Sequence, residues 1–209
     1  MSERFKKIPT SQQESILQAA LYEFAEKGYL RASTNAIVQT ADIPKGTLFY
    51  FFSSKKDLFL YVLDTAVTEY VAFVEKEKEN VPEELFERLL HRQQIKLRFA
   101  AVYPLQFRFF SKVFLDIPEE IKEELNNRFQ QYSEASAEDL TQGVDTTHLR
   151  EDVDIQAAIR MIHFLLEGIL AHYTPRLKST TPENLDTLIR EISIECQGHF
   201  SMIQKGIYR

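Results

Sequence analysis

The sequence predicts an all-α chain of about nine helices, with a small N-terminal helical domain followed by a larger helical one. Three observations lead there. Apolar residues recur at three- and four-residue spacing almost throughout. No run of alternating apolar and polar residues lasts long enough to make a sheet. Six Gly and seven Pro are few for 209 residues, and several of the prolines fall between helical patterns rather than inside them. At 44% hydrophobic and 12% aromatic residues the composition is that of a folded chain with a large core.

The first helix is expected at roughly 11–27. Thr10-Ser11 with Gln13-Glu14 offers two overlapping capping boxes, and Ile16, Leu17, Ala20, Leu21, Phe24 and Ala25 make its apolar stripe. Gly28 stands where a left-handed residue ends a helix. Ser33 or Thr34 caps a short second helix carrying Ile37, Val38 and Ala41, and Asp42-Ile43 makes a tight turn. Pro44 then opens a third helix, "PKGTLFYFF", at a position where its missing N–H costs nothing. Ser53 or Ser54 caps a fourth, with Lys55 and Lys56 in its first turn.

Three short helices with a tight turn between the second and third follow the helix-turn-helix plan, whose last helix enters the DNA major groove. The start of the third helix is small and polar, and Gly46 lets a backbone approach closely. Thr47 and Tyr50 lie about one turn apart on one face. Lys55 and Lys56 oppose the dipole of their own helix, a placement that phosphates nearby would reward. The net charge of −6 argues against nucleic acid until the chain is divided. Residues 1–60 hold eight Lys/Arg against six Asp/Glu, and the remainder 17 against 25, so a mildly basic head sits on an acidic body.

Within residues 11–60, the segments "ILQAALYEFAEKGYLRAST" and "IVQTADIPKGTLFYFFSSKKDLF" resemble the N-terminal domain of the TetR family of bacterial regulators. Lys45, Gly46, Thr47, Leu48, Phe52, Lys55 and Leu58 stand in register with the family's pattern, and the resemblance covers about a quarter of the chain. It implies that Ser33 and Thr34 bind phosphate, that Lys45, Gly46, Thr47 and Tyr50 face the major groove, and that Lys55 holds phosphate. It also implies that Leu48 and Phe52 are core. Phe49 stands where the family usually has Tyr, Phe51 where it has His or Tyr, and Asp42 where a turn Gly is frequent. Whether Met1–Thr10, with Arg4, Lys6 and Lys7, reaches a groove or phosphate as an arm stays open.

Beyond residue 60, helices are expected at roughly 55–79, 82–102, 104–114, 118–140, 152–174 and 183–205, with a surface loop over Thr141–Glu151. The domain boundary is placed between residues 54 and 55, with an effector-binding and dimerisation domain over 55–209. Segment 99–114 holds Phe99, Tyr103, Phe107, Phe109, Phe110 and Phe114, more aromatics than one amphipathic stripe requires. A pocket for an apolar or aromatic small molecule is expected there, lined by Phe73, Phe99, Tyr103, Phe107, Phe110, Phe129, Met161 and Phe164. Arg92, Gln93, Gln94 and Arg108 are its candidate polar anchors. Plain core packing is the alternative for each ring.

The last two helices carry broad apolar faces. The residues expected at a homodimer interface are Ile155, Ile159, Ile162 and Leu166, then Leu188, Ile192, Cys196 and Phe200. In the family such helices pair as a four-helix bundle, which would set two recognition helices about 34–36 Å apart on a palindromic operator.

Other chemistry finds little support. His91, His148, His163, His172 and His199 are scattered without metal-ligand spacing, and no cofactor is expected. There is no P-loop, G-x-G-x-x-G or G-x-S-x-G, so an enzyme is not expected. The single Cys196, a polar Met1–Thr10 and an apolar Met161–Tyr173 too short to span a bilayer fit a cytoplasmic chain with no membrane partner. The expected function is therefore a DNA-binding transcriptional repressor, homodimeric and controlled by an effector. The alternative is a helical ligand- or protein-binding module whose DNA-binding head is vestigial.

Overall fold

The computed structural model describes residues 4–77, 81–115, 118–128, 130, 145, 149–179 and 182–207. Among these the regular elements are helices. They are α1 (Thr10–Arg31), α2 (Thr34–Thr40), α3 (Lys45–Phe51), α4 (Lys55–Glu77), α5 (Leu85–Val102) and α6 (Pro104–Leu115). A helix over residues 122–128, α7, follows a 3-10 turn at Glu119–Ile121. Then come α8 (Ile155–Ser179) and α9 (Pro182–Ile207), and a further 3-10 turn, Phe5–Lys7, precedes α1. The all-α class read from spacing is the observed one.

The chain packs as two units. Helices α1 to α4 with α6 and α7 make the first, and α5 with α8 and α9 the second. The boundary expected at residues 54 and 55 falls inside the first unit.

In the first unit α1 packs most extensively on α6. Phe24, fully buried, meets Phe59 of α4 edge-on at 5.0 Å between ring centroids, and Phe109 of α6 packs on Phe59 at 5.5 Å. Edge-to-face rings at such distances add roughly 0.5–1.5 kcal/mol each to the burial itself. Polar ties surround this core. Arg108 of α6 pairs with Glu26 of α1, and Arg128 of α7 donates from Nε to Asp64 of α4 at 2.9 Å. Gln106 donates to Glu69 at 3.0 Å.

In the second unit the inner faces of α8 and α9 close on α5. Phe86 and Phe200 meet edge-on at 5.7 Å between ring centroids, and Leu97, Ile192 and Cys196 lie in one buried cluster.

Three helix boundaries differ from the sequence reading. Gly28 has the expected positive φ of 68°, yet one more turn follows it to Arg31. The buried Tyr29, packed on Phe59 at 5.0 Å, holds that extra turn down. Helix α5 starts at Leu85 rather than Pro82, because the Glu84 carboxylate accepts the Glu87 N–H at 2.8 Å and acts as the cap. Helix α8 runs through Pro175 to Ser179. An interior proline removes one helical hydrogen bond. Here Tyr173 donates to Glu195 at 2.6 Å and Arg176 pairs with Glu191 at 2.7 Å, so α9 braces α8 on both sides of it.

Burial pushes the Cys196 thiol up from its ordinary 9.0 to about 11. The folded chain thus keeps a proton that the unfolded chain releases, so this contribution is complete below about pH 9 and is lost as pH rises towards 11. In urea titrations across that range, the stability difference between the wild-type chain and Cys196→Ala is expected to shrink as pH rises. A pH-independent difference would contradict the assignment.

Candidate nucleic-acid interface

Helix α2 is capped by Ser33, whose φ of −110° and ψ of 117° leave it just outside the helix, with its Oγ accepting the Ala36 N–H at 3.4 Å. The Ser33 N–H donates to the Glu23 carboxylate at 2.9 Å. A side chain of α1 therefore takes up part of the anion-binding capacity at this helix start.

The turn to α3 is built on Asp42, with a φ of 53°, the one described non-glycine residue in the left-handed region. The Ile43 N–H closes it onto the Val38 carbonyl at 3.0 Å. Pro44 sits as the cap of α3, one position ahead of where the sequence put it, and the helix begins at Lys45. Leu48 and Phe51 face inward, with Phe52 buried just after them. Lys45, Gly46, Phe49 and Tyr50 are exposed, Tyr50 at 60%, and Thr47 is half-buried. Four of the residues assigned to the groove thus share one open side of α3. The Lys45 ammonium lies over the Phe49 ring at 6.0 Å.

Gly46 has no packing reason to be glycine. A Cβ placed there would meet nothing within 4 Å, and its φ is not left-handed. Glycine at this position therefore costs helix stability without any return inside the chain.

Lys55 departs from its expected role. Its ammonium is turned inward, donating to the carbonyls of Leu30 at 3.2 Å and Ala32 at 3.3 Å and lying 4.7 Å over the Tyr29 ring. A cation here satisfies the orphan carbonyls at the end of α1 and opposes that helix's negative pole. What looked unfavourable at the start of α4 is thus favourable at the end of α1. Spacing gave no hint of this, since 25 residues separate Lys55 from Leu30. Ser54 caps α4, its Oγ accepting the Asp57 N–H at 3.1 Å.

Next to it, Lys56 pairs with Glu124 of α7, a hydrogen bond that raises the lysine and lowers the glutamate from their ordinary values. Burial, and then a hydrogen bond to Glu120, push the Tyr29 phenol upward.

The N-terminal turn is the feature that sequence reading missed. Phe5 is fully buried against Phe51 at 5.5 Å, Phe52 at 5.0 Å and Tyr61 at 5.4 Å. A lone aromatic in a basic stretch, five residues before α1, was the available signal.

The residues expected to line an effector pocket are divided between the two units. In the first, Phe73 meets Tyr103 at 5.9 Å, Phe110 meets Tyr70 at 6.2 Å, and Phe107 is half-buried. In the second, Phe99 is core and Arg92 is half-buried, whereas Met161 and Phe164 are exposed at 45% and 71% on the outer side of α8. Phe129 lies outside the described residues. A surface hollow of about 350 Å³, lined by Ser15, Gln18, Ala19, Tyr22, Thr40 and Leu105, includes none of them. Arg108 is engaged by Glu26, so it is not a free anchor.

The expected dimer face also turns out to be the inner one. Ile162, Leu188, Ile192, Cys196 and Phe200 are buried within one chain, and Ile159 and Leu166 pack on the same clusters, with Ile155 half-buried. The reason is that α8 and α9 must first cover α5. Their outer faces carry Met161 and Phe164, then Ile194 and Met202, all exposed.

Among the described residues no group of His, Cys, Asp and Glu could hold a metal ion, and no helix is long and apolar enough to cross a membrane.

A tight turn between two seven-residue helices, the second with an open polar start, defines a helix-turn-helix protein of the DNA-binding class. Residues 16–62 match the family model of the bacterial regulatory proteins of the tetR family. By this match the chain carries a tetR-family N-terminal domain over residues 16–62. The chain is 24% identical over 155 residues to the fatty acid metabolism regulator protein of Bacillus subtilis, covering 70% of this chain and 75% of that one. Its fold is that of a TetR family transcriptional regulator from Chloroflexus aurantiacus, with a TM-score of 0.70, 22% identity, and coverage of 99% of this chain and 98% of that chain. The fatty acid degradation regulator FadR of Bacillus halodurans aligns with a TM-score of 0.61 and 18% identity over 86% of this chain and 97% of that chain.

Replacing Lys55 by Ala is expected to lower stability by about 0.5–1 kcal/mol, the scale of a cation at a helix C-terminus. Thermal unfolding would show it as a lower midpoint, and Lys55→Arg would restore most of it. An unchanged midpoint in Lys55→Ala would mean that the ammonium does not cap α1.

Proposed function

We propose that the chain is a transcriptional repressor that binds a palindromic operator as a homodimer and is released or retained by an apolar small molecule of fatty-acyl character. The observation that carries the DNA-binding part is Gly46. It sits on the open side of α3 between Lys45 and Thr47, where packing does not require glycine, and close approach of another molecule would account for its lack of a side chain. Lys45, Thr47 and Tyr50 share that side and are the groove-reading residues of the proposal. Thr34 and the N–H groups behind Ser33 take a phosphate, and Lys55 acts by holding α1 and α4 together. In this reading residues 1–54 meet DNA, and 55–209 take the effector and the second copy.

A vestigial head is the weaker reading. The loss of a polar group at Phe51 does not count towards it, because Phe51 is buried against Phe5 rather than turned to DNA.

The dimer is proposed on the outer faces of α8 and α9. Ile194, Gly198 and Met202 recur at four-residue spacing on α9, and Ala157, Met161, Phe164 and Gly168 follow one side of α8, all exposed. Small residues between large apolar ones let two helices approach closely. The effector class rests on the names of the relatives from Bacillus subtilis and Bacillus halodurans, both tied to fatty acids. It also suits a chain rich in aromatic and aliphatic residues.

Purified protein incubated with a random duplex pool is expected to enrich a palindrome, whose retention falls or rises when long-chain acyl compounds are added. Thr47→Ala and Tyr50→Ala should each weaken binding to that palindrome by about 5- to 150-fold, the scale of one lost base contact, about 1–3 kcal/mol. Gly46→Ala should raise folding stability by about 0.5–1 kcal/mol while weakening DNA binding. A Gly46→Ala chain that is more stable and binds as well as wild type would remove the main support for the groove assignment. Phe164→Glu should shift the chain to monomer in sedimentation velocity. An intact dimer in that variant would move the interface elsewhere.

A further inference from the structure

The ten residues Arg4–Gln13 contain three cations and no acidic side chain, in a chain whose net charge is −6. They are not a loose tail. Phe5 is inserted among Phe51, Phe52 and Tyr61, two of which close the recognition helix. The side-chain amide of Gln13 donates to the Ile8 carbonyl at 2.9 Å and to the Lys6 carbonyl at 3.4 Å, which fastens the turn to α1 as well. The turn is itself closed by the Lys7 N–H on the Arg4 carbonyl at 3.2 Å. Its cationic side chains are exposed, and the Arg4 guanidinium lies over the ring of Tyr50 at 5.1 Å. Tyr50 is the most exposed aromatic of α3. A guanidinium stacked on a ring keeps its planar donors available at the edge, which suits a phosphate.

We propose that the Phe5–Lys7 turn is a second DNA-contacting element, held against α3 so that Arg4 and Lys7 bind backbone phosphates beside the groove that α3 enters. The proposal rests on the DNA-binding reading above. Phe5 is its positioning residue: burying that ring fixes where the neighbouring cations point, so the contact needs no ordering of a flexible arm on binding. Arg4 also orients Tyr50, joining a groove-reading side chain to a phosphate-binding one. Such contacts add affinity without reading sequence.

The test is salt titration of affinity for the enriched duplex and for a scrambled one. Each phosphate contact contributes about 0.9 to the slope of log affinity against log salt, so the double variant Arg4→Gln, Lys7→Gln should bind with a slope shallower by about 2 on both duplexes. Arg4→Lys should keep the slope, because it keeps the charge. The thermal midpoint of the double variant should match wild type, since neither side chain is buried. An unchanged slope overturns the inference. An unchanged slope with lost preference at base pairs flanking the palindrome overturns it in favour of groove readout. A wild-type chain that enriches no duplex overturns the repressor reading, and this inference with it, whereas a wild type that binds with a double variant indistinguishable from it overturns this inference alone.

Discussion

A seven-residue helix cannot hold itself together in water, and everything about the N-terminal unit follows from that constraint. Helices α2 and α3 are each seven residues long, too short to form without tertiary support. The support comes from one aromatic core. Phe24 of α1, Phe59 of α4 and Phe109 of α6 lock three longer helices together, and Ile37 and Leu48 plug α2 and α3 into the same buried cluster. A head of about fifty residues buries too little surface to be comfortable alone. Borrowing α4, α6 and α7 solves that problem, which is why the packed unit extends past the head that the sequence delimits.

The same solution places charge. Residues that look like spare cations in the sequence divide into two groups. Lys55, Lys56, Arg108 and Arg128 are turned onto partners inside the first unit, where they brace α1 and α4. Arg4, Lys7 and Lys45 stay exposed at or beside α3. A binding surface made of the second group needs the first to keep its backbone still, because preorganised donors lose less freedom on binding. The acidic body and the basic head are thus not simply a gradient: part of the head's positive charge is spent internally.

The helix-turn-helix was legible because its signals are local. Apolar spacing in α1, Ser33 as cap, Asp42 in a left-handed turn and Pro44 at the start of α3 each act within a few residues, so a linear reading reaches them. The open side of α3 was legible for the same reason: helical periodicity fixes which residues share a face once Leu48 is core. Less was legible where partners lie far apart in sequence. Lys55 has its ligands on Leu30 and Ala32, Phe5 has its rings on α3 and α4, and Arg108 meets Glu26 across 82 residues. Pro175 reads as a stop until α9 is there to brace the helix around it.

What the sequence by itself determined is therefore the helical class, the helix-turn-helix and the membership of its N-terminal domain, all of which are written in short-range periodicity and capping. Which broad apolar face of α8 and α9 looks inward was decided by the tertiary structure. Each helix carries apolar residues beyond the stripe it buries: covering α5 takes Ile162, Ile192 and Phe200 inside and leaves Met161, Phe164, Ile194 and Met202 outside. Periodicity reports how wide an apolar face is. Which part of that face meets its own chain depends on the position of the neighbouring helices.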